Sequence, residues 1–129
     1  MKYWLIVRTI KWKKMVKNYK EMAAGLENSV AELGKLMPET MRGFSSLGTA
    51  AKKSGALDVK TKELIATAIA VAVRCDGCIA SHTKAAEKNG ASRDEILEML
   101  SMAIYMGGGP SLVYAAEALT AFDQFSDKD

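Results

Sequence analysis

The sequence predicts an all-α fold, a single domain built as a bundle of about six helices that assembles into an oligomer. Apolar residues recur at intervals of three and four, the spacing of one face of a helix. Aromatic residues make up only 7% of the 129 residues, while alanine, leucine and methionine are abundant. Unbranched side chains favour helix because they lose little rotamer freedom there. Two prolines and several glycines interrupt the periodic stretches, which indicates short connections.

The first two helices are predicted at about 16–36 and 38–52. Pro38 separates them, because proline suits the first turn of a helix but not its interior. The apolar stripe of the first helix consists of Met22, Leu26, Val30, Leu33 and Met37. The second helix presents Met41, Phe44, Leu47 and Ala51.

The third helix is predicted at about 59–73, with Asp58 as its N-cap. Its sequence ELIATAIAVAV is apolar almost all round, so we expect burial on most sides, in the core or in a subunit interface. One such helix in a small chain leaves more apolar surface than a monomer easily covers. This favours a homo-oligomer.

The last three helices follow from turn and capping residues. Asp-Gly marks a turn before a fourth helix at about 77–89, which Gly90 ends. Ser92 and Glu95 match a capping box that opens a fifth helix, ending near residue 105. A glycine run and Pro110 then lead into a sixth helix at about 110–125.

Positive charge is concentrated at the start of the chain. The first 20 residues carry seven lysines and arginines and no acid, so the remainder has a net charge of −4 against +3 for the whole. We therefore divide the chain into a basic extension at 1–14, disordered or not native, a helical domain at 15–126 and a tail at 127–129. Met15 is an alternative natural start.

The extension suggests a membrane-surface or nucleic-acid arm only weakly. Its apolar stretch, residues 3–7, is too short for a signal peptide or a membrane span. We expect neither nucleic acid nor membrane as a partner.

The two cysteines of the chain, Cys75 and Cys78, form a Cys-x-x-Cys motif. A secreted disulfide scaffold normally uses more cysteines, so we expect a redox or metal device in the reducing cytoplasm. The motif falls at the start of the fourth helix, where free N–H groups favour a thiolate. His82 follows Cys78 by four residues, so the two share a helix face and His82 is placed to act as a general base.

Glu63 is the candidate third member of this site. The third and fourth helices are joined by a tight turn, which brings a carboxylate on one within reach of His82 on the other. A solvated charge near the start of the third helix is the alternative. For the cysteines, a zinc site that also uses Glu63 and His82 and a pair of buried small side chains remain open.

The order and spacing of Glu63, Cys75, Cys78 and His82 resemble the AhpD-like branch of the carboxymuconolactone decarboxylase superfamily. The surrounding sequence ELIATAIAVAVRCDGCIASHTKAAEKNGAS is also similar to it. The resemblance implies trimers or hexamers and a dithiol that cycles with its disulfide to reduce peroxides. It implies that the glutamate and histidine relay protons to the cysteines. Family members often carry His or Tyr between the cysteines, where this chain has Asp76 and Gly77.

We therefore expect an alkylhydroperoxidase-like enzyme with catalytic residues Cys75, Cys78, His82 and Glu63 and with no cofactor. Its partners would be a peroxide substrate and a thiol or dithiol reductant. One alternative is a non-enzymatic module that senses redox state or binds zinc. Another is a decarboxylase-type lyase acting through Glu63 and His82, which the cysteine pair disfavours because the decarboxylase branch lacks it.

Overall fold

The computed structural model describes residues 16–127, which form a single six-helix domain without any strand. This confirms the all-α prediction. The extension at 1–14 lies outside the described residues, as do residues 128 and 129 of the predicted tail. The helices are α1 (Tyr19–Leu36), α2 (Pro38–Lys52), α3 (Val59–Ala72), α4 (Asp76–Lys88), α5 (Arg93–Gly107) and α6 (Gly109–Ser126).

Side-chain caps decide where several helices begin. Asp58 and the capping box of Ser92 and Glu95 are present as predicted. The first helix begins at Tyr19, three residues later than expected, because the Asn18 side chain accepts a hydrogen bond from the backbone N–H of Glu21. The fourth helix begins one residue earlier than expected, at Asp76.

The core surrounds α4, which packs against α1, α3 and α6. Small side chains dominate this core and let the helices approach closely. Its largest fully buried apolar side chains are Tyr19, Val71, Ile79 and Ile96.

The second and third helices are less buried than their sequences suggest. No residue of α2 is buried, and its predicted apolar residues Phe44 and Leu47 are exposed. Helix α3 is buried on one face only, while Ile65 and Ile69 on its other face are exposed. The sequence predicted burial of α3 in the core or in a subunit interface. The core covers one face, and a single chain contains no second subunit to cover the other.

The link between α3 and α4 is a tight turn that fixes the start of α4. The N–H of Arg74 donates to the carbonyl of Val71, and the N–H of Cys75 donates to that of Ala70. This is a Schellman ending, in which Arg74 takes the left-handed conformation (φ 59°) that glycine usually supplies. Gly90 supplies it in the same motif after α4.

None of the helices within residues 16–127 is both long enough and apolar enough to span a membrane.

Candidate active site

The two cysteines lie at the N-terminus of α4 and form a disulfide, with their Cα atoms 5.2 Å apart. Cys75 is the N-cap of the helix, and its Sγ accepts a hydrogen bond from the N–H of Cys78 (3.2 Å). Both side chains are partly buried, and Cys78 packs against the core. On reduction, the free N–H groups and the helix dipole at this end would stabilise a thiolate.

His82 and Glu63 form a direct hydrogen-bonded pair. The Nδ1–H of His82 donates to Oε2 of Glu63 at 2.7 Å. The Glu63 side chain is only 5% exposed and that of His82 is 32% exposed. Glu63 is therefore not the solvated charge of the alternative interpretation. A proton on Nδ1 leaves Nε2 as the nitrogen able to take up another proton.

The hairpin of α3 and α4 brings the four predicted residues together. The carbonyl of Ala70, late in α3, contacts Cys75 at the start of α4, while Glu63 earlier in α3 reaches His82 later in α4. The two helices are thus antiparallel, and the carboxylate lies within reach of His82 as the tight turn predicted. His82 follows Cys78 by four residues on α4, so the carboxylate–imidazole pair lies about one helical turn from the disulfide.

The structure gives a steric reason for the glycine between the cysteines. A Cβ atom on Gly77 would stand 3.2 Å from Cδ2 of Leu26, which α1 places over the first turn of α4. A larger side chain at position 77 would require Leu26 to move. The contact is with the end of a flexible side chain, so a shift of a few tenths of an ångström would admit a Cβ atom.

A mostly apolar groove of about 420 Å³ opens beside His82. Its walls come from α2 and α3, with Phe44, Ile65 and Ile69 as the main apolar side chains, and Lys52 and Lys62 also line it. The cysteines do not line it. The sequence predicted an apolar face on α2 but not its position beside the histidine, because the packing of α2 against α3 depends on their connecting segment.

Across residues 16–127, no group of three or more His, Cys, Asp or Glu side chains is arranged to hold a metal ion. The sulfur atoms that the zinc alternative would use are joined in the disulfide.

Sequence reasoning missed a polar cluster at the N-terminus of α4. Lys17 bridges Asp76, between the cysteines, and Glu117 on α6. From the sequence, Lys17 counts only as one of the basic residues near the N-terminus. Its partners lie 59 and 100 residues away in the chain, and no local pattern connects them.

The model of the carboxymuconolactone decarboxylase family matches residues 38–121. A crystal structure of a carboxymuconolactone decarboxylase family protein from Legionella pneumophila is 56% identical, covers 84% of this chain and 97% of its own, and superimposes with a TM-score of 0.83.

Two more distant proteins are also similar. A Thermotoga maritima family protein, for which a role in antioxidative response has been suggested, is 30% identical, with a TM-score of 0.64 over 76% of this chain and 90% of its own. An uncharacterized protein of Cupriavidus necator is 38% identical over 84% of this chain and 96% of its own.

Proposed function

This chain belongs to the carboxymuconolactone decarboxylase family, and on that premise we propose that it is a thiol-dependent peroxidase of the AhpD-like type. Cys75 and Cys78 are its redox-active dithiol, and Glu63 and His82 relay protons to them. The proposal is compatible with the antioxidative role suggested for the Thermotoga protein.

One observation carries this proposal: a buried carboxylate–imidazole pair lies about one helical turn from a Cys-x-x-Cys disulfide. Burying a carboxylate is costly unless it is paired, and here its partner is the histidine of the chain. The pair can take a proton from a thiol and return it to a leaving group.

The proposed reaction begins with the reduced dithiol. His82, supported by Glu63, takes the proton of Cys78, and the thiolate attacks the terminal peroxide oxygen. The O–O bond breaks, the alkoxide takes a proton and leaves as an alcohol, and Cys78 becomes a sulfenic acid. The Cys75 thiol then displaces water and forms the disulfide. One hydroperoxide and two thiols thus give one alcohol, one water molecule and one disulfide.

Regeneration needs a second thiol compound. A dithiol or two monothiols attack the disulfide, are oxidised in turn and return both cysteines to thiols. Cys78 lies nearer to His82 in α4, so we take it as the cysteine that attacks the peroxide. We assign the contact with the reductant to the other cysteine, Cys75. A cycle that needs an external thiol fits the cytoplasm.

The groove beside His82 favours an alkyl hydroperoxide over hydrogen peroxide. Phe44, Ile65 and Ile69 offer an apolar wall next to the proposed base. A hydrocarbon group gains free energy there in proportion to the apolar area that it buries, whereas hydrogen peroxide gains none.

We extend the proposal to a homo-oligomer, a trimer or hexamer. Amphipathic helix α2 has no buried residue, and outside the groove Leu33 and Leu36 of α1, as well as Leu47 of α2, are exposed. An apolar surface of this kind indicates a protein partner. Light scattering would test this, since a monomer with this surface uncovered would contradict it.

The test of the enzyme is a thiol count. The reduced protein is treated with cumene hydroperoxide, and free thiols are counted before and after, in the wild type and in Cys78→Ser. Loss of two thiols per chain without intermolecular crosslinks supports the dithiol cycle. Thiols that resist both peroxide and oxidised dithiols would refute it, and stoichiometric zinc after purification in metal-free buffer would favour the metal-binding alternative.

A further inference from the structure

A cluster of four polar side chains joins three separate parts of the chain beside the dithiol. Lys17 precedes α1, Asp76 opens α4, and Glu117 lies in α6. The Lys17 Nζ donates to Oδ2 of Asp76 at 3.0 Å, and to Oε1 and Oε2 of Glu117 at 3.0 and 3.1 Å. The hydroxyl of Tyr19 also donates to Oε2 of Glu117 (3.3 Å).

The backbone that carries Lys17 is held in place. The side-chain amide of Gln124 donates to the carbonyl of Lys17 (2.9 Å) and accepts from the N–H of Tyr19 (2.8 Å). The Tyr19 side chain is itself fully buried. The backbone at Lys17 is therefore anchored to α6, and the ammonium group is held by Glu117 of the same helix.

Asp76 is the member of this cluster that concerns the cysteines. It stands between them in sequence, and its second oxygen, Oδ1, is buried and lacks a hydrogen-bond partner within residues 16–127. A carboxylate at this place opposes the appearance of another negative charge on a neighbouring sulfur. A positive charge close to Asp76 would offset this repulsion.

Lys17 supplies that charge over the pH range in which thiols ionise. Its hydrogen bonds to Glu117 and Asp76 raise the pKa of Lys17 above the ordinary value. Burial raises the pKa of Tyr19, whose hydroxyl therefore stays protonated and donates to Glu117. The Lys17 ammonium and the two carboxylates thus form one charged unit.

We propose that Lys17 is a positioning residue for the dithiol: its ammonium group fixes Asp76 at the start of α4 and offsets its negative charge, so that a thiolate forms more readily at the cysteines. This role rests on the proposed function only in taking Cys75 and Cys78 as a reversible dithiol. It requires no contact between Lys17 and the peroxide.

Other charges near α4 come from every helix packed against it. Glu63 faces it from α3, Glu117 from α6, and Glu27 on α1 pairs with Lys84 late in α4. His82 lies on α4 itself. The Lys17 and Asp76 variants used in the experiment leave all of these groups unchanged. These groups therefore cannot shift the ionisation of the cysteines in opposite directions in the two variants, as the proposal requires.

The experiment measures alkylation of the reduced protein by iodoacetamide as a function of pH, with mass spectrometry to score each cysteine. We expect Lys17→Met to raise the midpoint of the profile by about half to one pH unit, and Asp76→Asn to lower it by a similar amount. The double variant should return close to the wild type, as should Lys17→Arg. Lys84→Met, which breaks an exposed ion pair on the same helix, should leave the midpoint unchanged.

Midpoints that stay constant in both single variants, or that move in the same direction, would overturn the proposal, since loss of a merely structural brace has no reason to give opposite signs. If Lys17→Met does not fold, the nearly isosteric Asp76→Asn tests the premise: an unchanged or higher midpoint would show that the charge of Asp76 does not oppose the thiolate, and this would refute the role of Lys17. No peroxide is used, so a protein inert towards peroxide can still give these shifts. An active peroxidase that does not give them contradicts this inference alone.

Discussion

Replacing Glu63 by glutamine tests the proposed relay without changing the size of the side chain. In the wild type, the Glu63 carboxylate accepts a hydrogen bond from the Nδ1–H of His82 at 2.7 Å, and the Glu63 side chain is only 5% exposed. An amide oxygen can still accept that hydrogen bond, but it carries no charge to stabilise the imidazolium that forms when a thiol gives up its proton.

The expected magnitude follows from this difference in charge. Hydrogen bonds to charged groups contribute about 1.5–3 kcal/mol and neutral ones about 0.5–1.5 kcal/mol, so the loss is roughly 1–1.5 kcal/mol. Since about 1.4 kcal/mol corresponds to a tenfold change in rate, Glu63→Gln should slow thiol oxidation about tenfold. Solvent screening is small because the carboxylate is buried.

The assay is a time course of thiol loss after cumene hydroperoxide is added to the reduced protein. Glu95→Gln is the matched control, because Glu95 pairs with Lys60 at the surface and a glutamine keeps its capping box. A correctly folded Glu63→Gln protein that reacts within twofold of the wild type would remove the relay from the mechanism. Equal slowing in both variants would also count against it.

Three further predictions concern the groove and the helix ends. Gly48→Leu should slow reaction with cumene hydroperoxide several-fold but spare hydrogen peroxide, because its side chain would fill the groove. Gly43→Leu, on another face of α2, should spare both, and equal rates for all three proteins would contradict the assignment of the groove. Arg74→Gly should raise the unfolding free energy in urea by about 0.5–1 kcal/mol, since relief of the left-handed conformation outweighs glycine's greater unfolded-state entropy; lower stability would refute this. The side-chain hydrogen bond with Thr61 lowers the pKa of Asp58. The stability that the ionised Asp58 side chain contributes is therefore fully present above the ordinary pKa of an aspartate and is lost as the pH falls through the lowered pKa. Asp58→Asn should therefore reduce the fall in the unfolding free energy, measured in urea, as the pH is lowered. An unchanged pH dependence at acid pH would contradict the contribution of the Asp58 cap.

Local sequence patterns were sufficient for most helix boundaries. Pro38, Asp58 and the capping box of Ser92 and Glu95 act through neighbouring backbone groups, so their effect is readable from the chain itself. The start of α4 was misplaced by one residue because a cysteine serves as its N-cap, a role more often filled by Ser, Thr, Asp or Asn.

The candidate site was predictable for a related reason. Cys78 and His82 lie on one face of α4. The short turn between α3 and α4 makes the two helices pack against each other. The pairing of Glu63 with His82 depends on that short connection. Their catalytic roles remain predictions.

The sequence by itself determined the six helices and the position of Cys75, Cys78 and His82 at the start of one of them, because helical period, caps and a short turn act over a few residues. It left Glu63 open between a partner of His82 and a solvated charge, and the buried pair in the structure decided between them. Only the tertiary structure decided that Lys17 meets Asp76 and Glu117, that Leu26 covers Gly77, and that the groove opens beside His82. Those contacts join positions far apart in the chain. They depend on how whole helices pack, which no local spacing specifies.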